Sequence, residues 1–175
     1  RDQEKNRLWA GVGVNITSSD TDLYKPSFGP LLRVEYERTV SDWFSMVGHL
    51  QSVSNRMGEY QFYSLAGIGA QALFRPFSGF FHRLNLGVAT GLEYGEHDRY
   101  IQRWEDPETR VVDLNKITFQ SGFWLNFGPV VRFDVMDTKP LSASVFVHPH
   151  FYYDPIDKYI KCWFVNVGVL CGLGF

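Results

Sequence analysis

Long hydrophobic runs are missing from this 175-residue chain: no stretch of about 18 or more apolar residues occurs, which excludes a transmembrane helix. A transmembrane barrel is not excluded, because its strands alternate in character and average to an ordinary hydropathy. An excess of either charge is missing too. Lys and Arg total 17 against 19 Asp and Glu, net charge −2, so there is no footprint for nucleic acid. Cysteine is scarce. Cys162 and Cys171 sit nine residues apart with opposite parity in one alternating segment. That places them about 30 Å apart on opposite faces of a strand, so they read as packing residues and not as a disulfide. No nucleotide-binding glycine loop or nucleophile elbow occurs. The chain opens on Arg1 with no apolar leader, and the expectation is a processed form whose export signal has been removed.

Aromatics, at 17% of residues, and 16 glycines are abundant, a combination suited to crowded strand packing. Alternation with a period of two recurs eight times. In the first segment Leu8, Ala10, Val12, Val14 and Ile16 alternate with Trp9, Gly11, Gly13 and Asn15. The second sets Phe28, Pro30, Leu32, Val34 and Tyr36 against Gly29, Leu31, Arg33 and Glu35. Six more segments follow, near residues 44–51, 61–74, 84–94, 119–135, 143–151 and 163–175. An internal repeat supports the count. FGPLLRVEYE from Phe28 matches FGPVVRFDVM from Phe127, an offset of 99 that His49 and His148 share. RLWAGV from Arg7 matches RLNLGV from Arg83 at an offset of 76, so the second half carries an insertion of 23 residues after Tyr94. The reading is a single domain over 1–175, built from four-stranded halves near 7–75 and 83–175.

Period two leaves open which face is inside. A soluble, lipocalin-like barrel would turn the apolar face inward. The inverse is favoured, because the polar face is rich in Gly, Asn, Ser and large aromatics and nearly free of Lys. Its charges are few and of opposite sign, as a closed interior requires. Aromatics such as Trp43, Phe74, Phe80, Phe81, Tyr94 and Trp163 also mark strand ends, where interfacial girdles sit. The expected fold is all-β: an eight-stranded antiparallel up-and-down transmembrane β-barrel.

Eight alternating strands whose last runs Val167, Val169, Cys171, Leu173, Phe175 resemble the small outer-membrane barrels of the OmpA/OmpX type. The aromatic-rich, Lys-poor style also resembles PorT-like barrels of Bacteroidota. The resemblance implies insertion in outer-membrane lipid and periplasmic termini. It also implies that Phe175 is the signal read by the barrel-assembly machinery. The turns near Thr39–Asp42, Pro76–Phe81 and Asp137–Lys139 would then be periplasmic. The loops Thr17–Lys25, Asn55–Glu59, Gly95–Asn115 and Asp154–Tyr159 would be external.

Four features could carry function. Arg33, Glu35, Arg132 and Asp134, with His49 and His148, point inward from strands that face one another across the axis, as an ion network filling the bore or as a proton-sensitive gate. His148 and His150 share a face, but a metal needs further converging ligands and Arg neighbours compete for Asp134, so no metal or cofactor is expected. Tyr100, Arg103 and Trp104 in the inserted segment suit a binding surface, or a strand extension that caps the barrel. On the lipid side Gly48, Ser52, Ser64, Ala66, Ala70 and Ala72 form a smooth patch that would let another membrane protein pack closely. Lipid hydrolysis would need Ser, His and an acid grouped at the membrane face, and the lipid-facing strand positions hold no His; acyl transfer inside the barrel would need an apolar pocket, whereas this interior reads as polar or filled. The expectation is therefore a non-enzymatic accessory subunit beside a larger outer-membrane complex. A surface-binding protein, or a small conduit or lipid-modifying enzyme, are the alternatives.

Overall fold

The computed structural model describes residues 5–18, 27–57, 61–100, 117–138, 140–154 and 159–175. Its strands are β1 (Asn6–Ser18), β2 (Ser27–Ser41), β3 (Phe44–Met57), β4 (Gln61–Phe74), β5 (Leu84–Tyr100), β6 (Ile117–Asp137), β7 (Leu141–Asp154) and β8 (Tyr159–Gly174). A 3-10 turn, Gly79–Arg83, joins β4 to β5. Each strand pairs antiparallel with the next and β8 pairs with β1, closing a barrel. The register runs from Leu8 through Tyr36, Gly48, Ala70, Thr90, Phe127, Phe151 and Trp163 to Ser18, ten residues along β1 from its start. That stagger tilts the eight strands by about 40° to the barrel axis.

One end of the barrel, the turn end, carries short connections at Asp42 and Trp43, at 75–83 and at 138–140. The opposite end leads into 19–26, 58–60, 101–116 and 155–158, which lie outside the described residues. Strands reach further toward that end than the sequence reading placed them. The segment expected as a loop from Gly95 begins as hairpin, with Gly95 opposite Gly122 and Tyr100 opposite Ile117. Glycine and charge do not stop a strand whose backbone bonds are met by its neighbour, so polarity was a poor guide to the boundary.

Odd residues of β1–β5 and even residues of β6–β8 point inward. Trp9, Arg33, Glu35, His49, Gln71, Glu93, Asn126, Arg132, His148 and Asn166 are all buried. The opposite parity is a belt of exposed aliphatics: Val12 is 62% exposed, Leu32 59%, Ile68 60% and Val88 61%. Buried charge inside exposed aliphatics is the reverse of a soluble barrel, and the belt far exceeds the apolar patches that soluble monomers tolerate. Aromatics flank it. Trp43 packs on Phe44 and Phe74 at 5.8 and 6.1 Å, and Phe77 on Phe81 at 6.3 Å, around the turn end. Tyr94 meets Phe123 at 4.9 Å and Phe127 meets Phe151 at 5.9 Å toward the other end.

The two Phe-Gly-Pro motifs mark breaks in the ladders. The β2–β3 register begins at Leu31↔Val53, just past Pro30. Between β6 and β7 it stops at Phe127↔Phe151 and resumes at Val131↔Val147, so Pro129 stands opposite Pro149. Each missing bridge would need an N–H from one of these prolines, and neither has one. Elsewhere small residues make room for large ones. A Cβ on Gly172 would lie 2.7 Å from two atoms of the Trp9 ring and nearer still to a third, so glycine is required where that indole crosses β8.

Candidate functional site

The turn-end half of the bore holds an ion network centred on Arg132. Its Nη1 lies 3.2 Å from Glu35 Oε2, its Nη2 3.0 Å from Glu37 Oε2 and its Nε 3.5 Å from Asp134 Oδ1. The guanidinium lies 3.9 Å from the centroid of Trp9, whose Nε1 donates to Glu37 Oε2 at 2.9 Å. Arg33 Nε donates to Glu35 Oε1 at 2.6 Å, and Arg75 Nη2 lies 3.6 Å from Glu37 Oε1. Ser144 and Asn85 donate to Asp134 at 2.6 and 3.1 Å. The carboxylates are thus met by cations and neutral donors together, the condition under which buried charge is tolerated.

The structure therefore brings Arg33, Glu35, Arg132 and Asp134 into one network and leaves the two histidines beside it. His49 Nδ1 is 3.4 Å from Gln71 Nε2, and His148 stacks on His150 at 4.5 Å between centroids. Neither histidine bonds a network carboxylate. Among the described residues no group of three or more His, Cys, Asp or Glu is placed to hold a metal ion.

Glu37, Arg75 and Glu93 are functional-looking residues that the sequence reading did not weigh. Parity could have found them: Glu37 continues the odd face of β2, and Arg75 is in phase with Gln71 and Leu73. Glu93 anchors a second cluster, accepting from Gln51, Asn126 and Tyr152. Gln51 also accepts from Arg33 Nη1 at 3.1 Å, so a polar thread joins the two clusters. Around and beyond the thread the bore is filled by Leu31, Val53, Leu65, Trp124, Phe146, Tyr152 and Phe164. The inside is thus less polar than the residue pattern implied, since leucine and valine occupy inward positions between the charges.

On the outside, Gly48 lies opposite Ala70, Ser52 opposite Ala66, Ser64 opposite Ser54 and Ala72 opposite Met46. Leu50 and Ile68, paired with each other and both exposed, divide this patch in two. Cys171 is exposed and free. Phe175 is exposed, and its N–H donates to the Asn6 carbonyl at 3.0 Å. Tyr100 ends β5, whereas its side chain, Arg103 and Trp104 lie outside the described residues.

No family model matches the sequence, and no curated protein matches it. Solved structures do. Neisserial surface protein A (NspA) is similar with a TM-score of 0.61 and 13% identity, over 98% of this chain and 97% of that one. Ail, the attachment invasion locus protein of Yersinia pestis, follows at 0.58 and 13%, over 98% and 100%. The N-terminal β-barrel domain of Pseudomonas aeruginosa OprF gives 0.51 and 13%, over 97% and 98%. At such identities the likeness is one of fold: the chain has the fold of the small eight-stranded outer-membrane barrels.

Proposed function

We propose that the chain is an integral outer-membrane barrel, without enzymatic activity, that serves as an accessory or structural subunit beside a larger outer-membrane complex for assembly, secretion or uptake. Its termini and short turns face the periplasm. The observation that carries this reading is a bore occupied by buried side chains, the Arg132 network at one level and Trp124, Tyr152 and Phe164 at another. With the interior committed to packing, the outer surface is what remains to act. On β3 and β4 that surface is low in profile, and Gly48 has open space before it. Small residues let a neighbouring membrane protein approach closely and gain dispersion contacts that lipid would otherwise make.

The test is purification at native expression level in mild detergent, followed by mass spectrometry of what stays attached. A stoichiometric outer-membrane partner is expected, lost when Ala66 and Ala70 are both replaced by tryptophan. A lone monomer, or a partner indifferent to that change, would rule the reading out. The likeness to a barrel named for attachment and invasion favours a second reading, surface binding through the 101–116 segment with Arg103 and Trp104. Deleting that segment would then abolish capture while leaving the β3–β4 variant unaffected.

A further inference from the structure

At the turn end a cavity of 260 Å³ opens between the β2–β3 turn, the β4–β5 connection and the end of β6. Its floor and one wall are already satisfied. Arg75 and Asp134 belong to the ion network, and Asp137 Oδ1 accepts from Arg7 Nη2 at 2.7 Å. The rim is different. Among the described residues the Arg83 side chain makes a single hydrogen bond, from Nη1 to the Val135 carbonyl at 3.1 Å, and forms no ion pair. Asp42, exposed in the β2–β3 turn, forms no ion pair among the described residues. One spare positive and one spare negative charge therefore share the mouth of one pocket, beside His82, whose Nδ1 donates to the Gly79 carbonyl. Phe77, 46% exposed, lines the pocket, and Trp43, 59% exposed, follows Asp42 in the turn; both belong to the aromatic ring that flanks the apolar belt. Aromatic girdles of this kind sit at the interfaces of a bilayer, with the amphipathic indole at headgroup level.

We infer that this mouth binds a zwitterionic phosphate–ammonium headgroup of the phosphatidylethanolamine kind. Arg83 takes the phosphate, Asp42 takes the ammonium hydrogens, and Phe77 and Trp43 lie against the start of the acyl chains. The pocket is smaller than the roughly 300 Å³ at which drug-sized sites begin, so it suits a headgroup better than a nucleotide or oligosaccharide. Phosphatidylglycerol lacks the ammonium. Phosphatidylcholine carries the charge but has no N–H to donate, so Asp42 discriminates against both. The inference rests on the membrane reading, not on the accessory role.

The experiment is native mass spectrometry of the barrel released from mixed micelles holding equal phosphatidylethanolamine, phosphatidylglycerol and phosphatidylcholine. Heat-modifiable gel mobility establishes that each sample is folded. The wild type should retain phosphatidylethanolamine about two- to fivefold over the others, the range expected of a partly solvated charge pair. Asp42→Asn should erase that preference, and Arg83→Gln should lower retention of all three lipids, since each carries the phosphate. Displacement by free phosphoethanolamine at equal concentration would support the headgroup chemistry with a soluble ester as its source. Failure of that displacement identifies the lipid. Equal retention of the three lipids by a folded wild type, or a preference unchanged in Asp42→Asn, would overturn the site while leaving the partner experiment unaffected.

Discussion

Replacing Pro149 with valine supplies an N–H opposite the Pro129 carbonyl, where the β6–β7 seam now has no donor on either strand. Both prolines lie between the aromatic rings of the belt, where no water can satisfy a backbone carbonyl. A ladder bond contributes about 0.5–1.5 kcal/mol net. Pro149→Val should thus slow exchange of the flanking Val131, Val147, Phe127 and Phe151 amides about two- to tenfold. With Pro129→Val added, two bonds are restored and the effects should multiply. Valine suits the position, since it is β-branched and would face outward. The assay is amide hydrogen exchange by NMR in bicelles. The internal control is the β5–β6 seam, whose register runs unbroken from Leu84↔Phe133 to Tyr100↔Ile117. If wild-type amides beside the prolines exchange as slowly as those of β5–β6, or if Pro149→Val leaves them unchanged, the proline account of the gap is wrong.

Arg132→Met removes the cation shared by Glu35, Glu37 and Asp134, and should cost about 3–5 kcal/mol because buried carboxylates lose their partner. The urea midpoint should fall accordingly, and Glu35→Gln with Glu37→Gln should recover part of the loss. Gly172→Val drives a side chain into Trp9 and should prevent the fast-migrating folded form on unheated gels. Adding Trp9→Leu should restore some of it, whereas full folding of Gly172→Val alone would contradict the packing described. In planar bilayers the purified barrel should show no regular conductance steps, because the bore is filled; steady single-channel openings would count against a closed interior.

Face assignment was legible in the sequence because period two is rigid: once Trp9, Arg33 and Asn126 are inside, Val12, Leu32 and Leu125 must be outside. The pairing of Arg132 with Glu35 was legible in outline, since β2 and β6 stand opposite in a ring of eight. Its extension to Glu37, Arg75 and Trp9 was not, because that depends on the stagger of ten residues, which only the register reveals. The same holds for the histidines. His49 and His148 share the repeat offset and reach the same region, but their depth relative to Glu35 is set by strand tilt. Strand ends were the least legible, as at Gly95, where a glycine continues the hairpin instead of ending it. The meeting of Pro129 with Pro149 could not be foreseen from either residue alone.

The most direct measurement is spin-label accessibility along β2 in lipid vesicles, in a background with Cys162 and Cys171 replaced. Labels at Leu32, Val34 and Tyr36 should be reached by oxygen and shielded from a water-soluble nickel chelate, and the unsubstituted barrel should remain resistant to extraction by salt. Nickel access at Leu32 and Val34 would place the aliphatic face in water and contradict the membrane-spanning barrel.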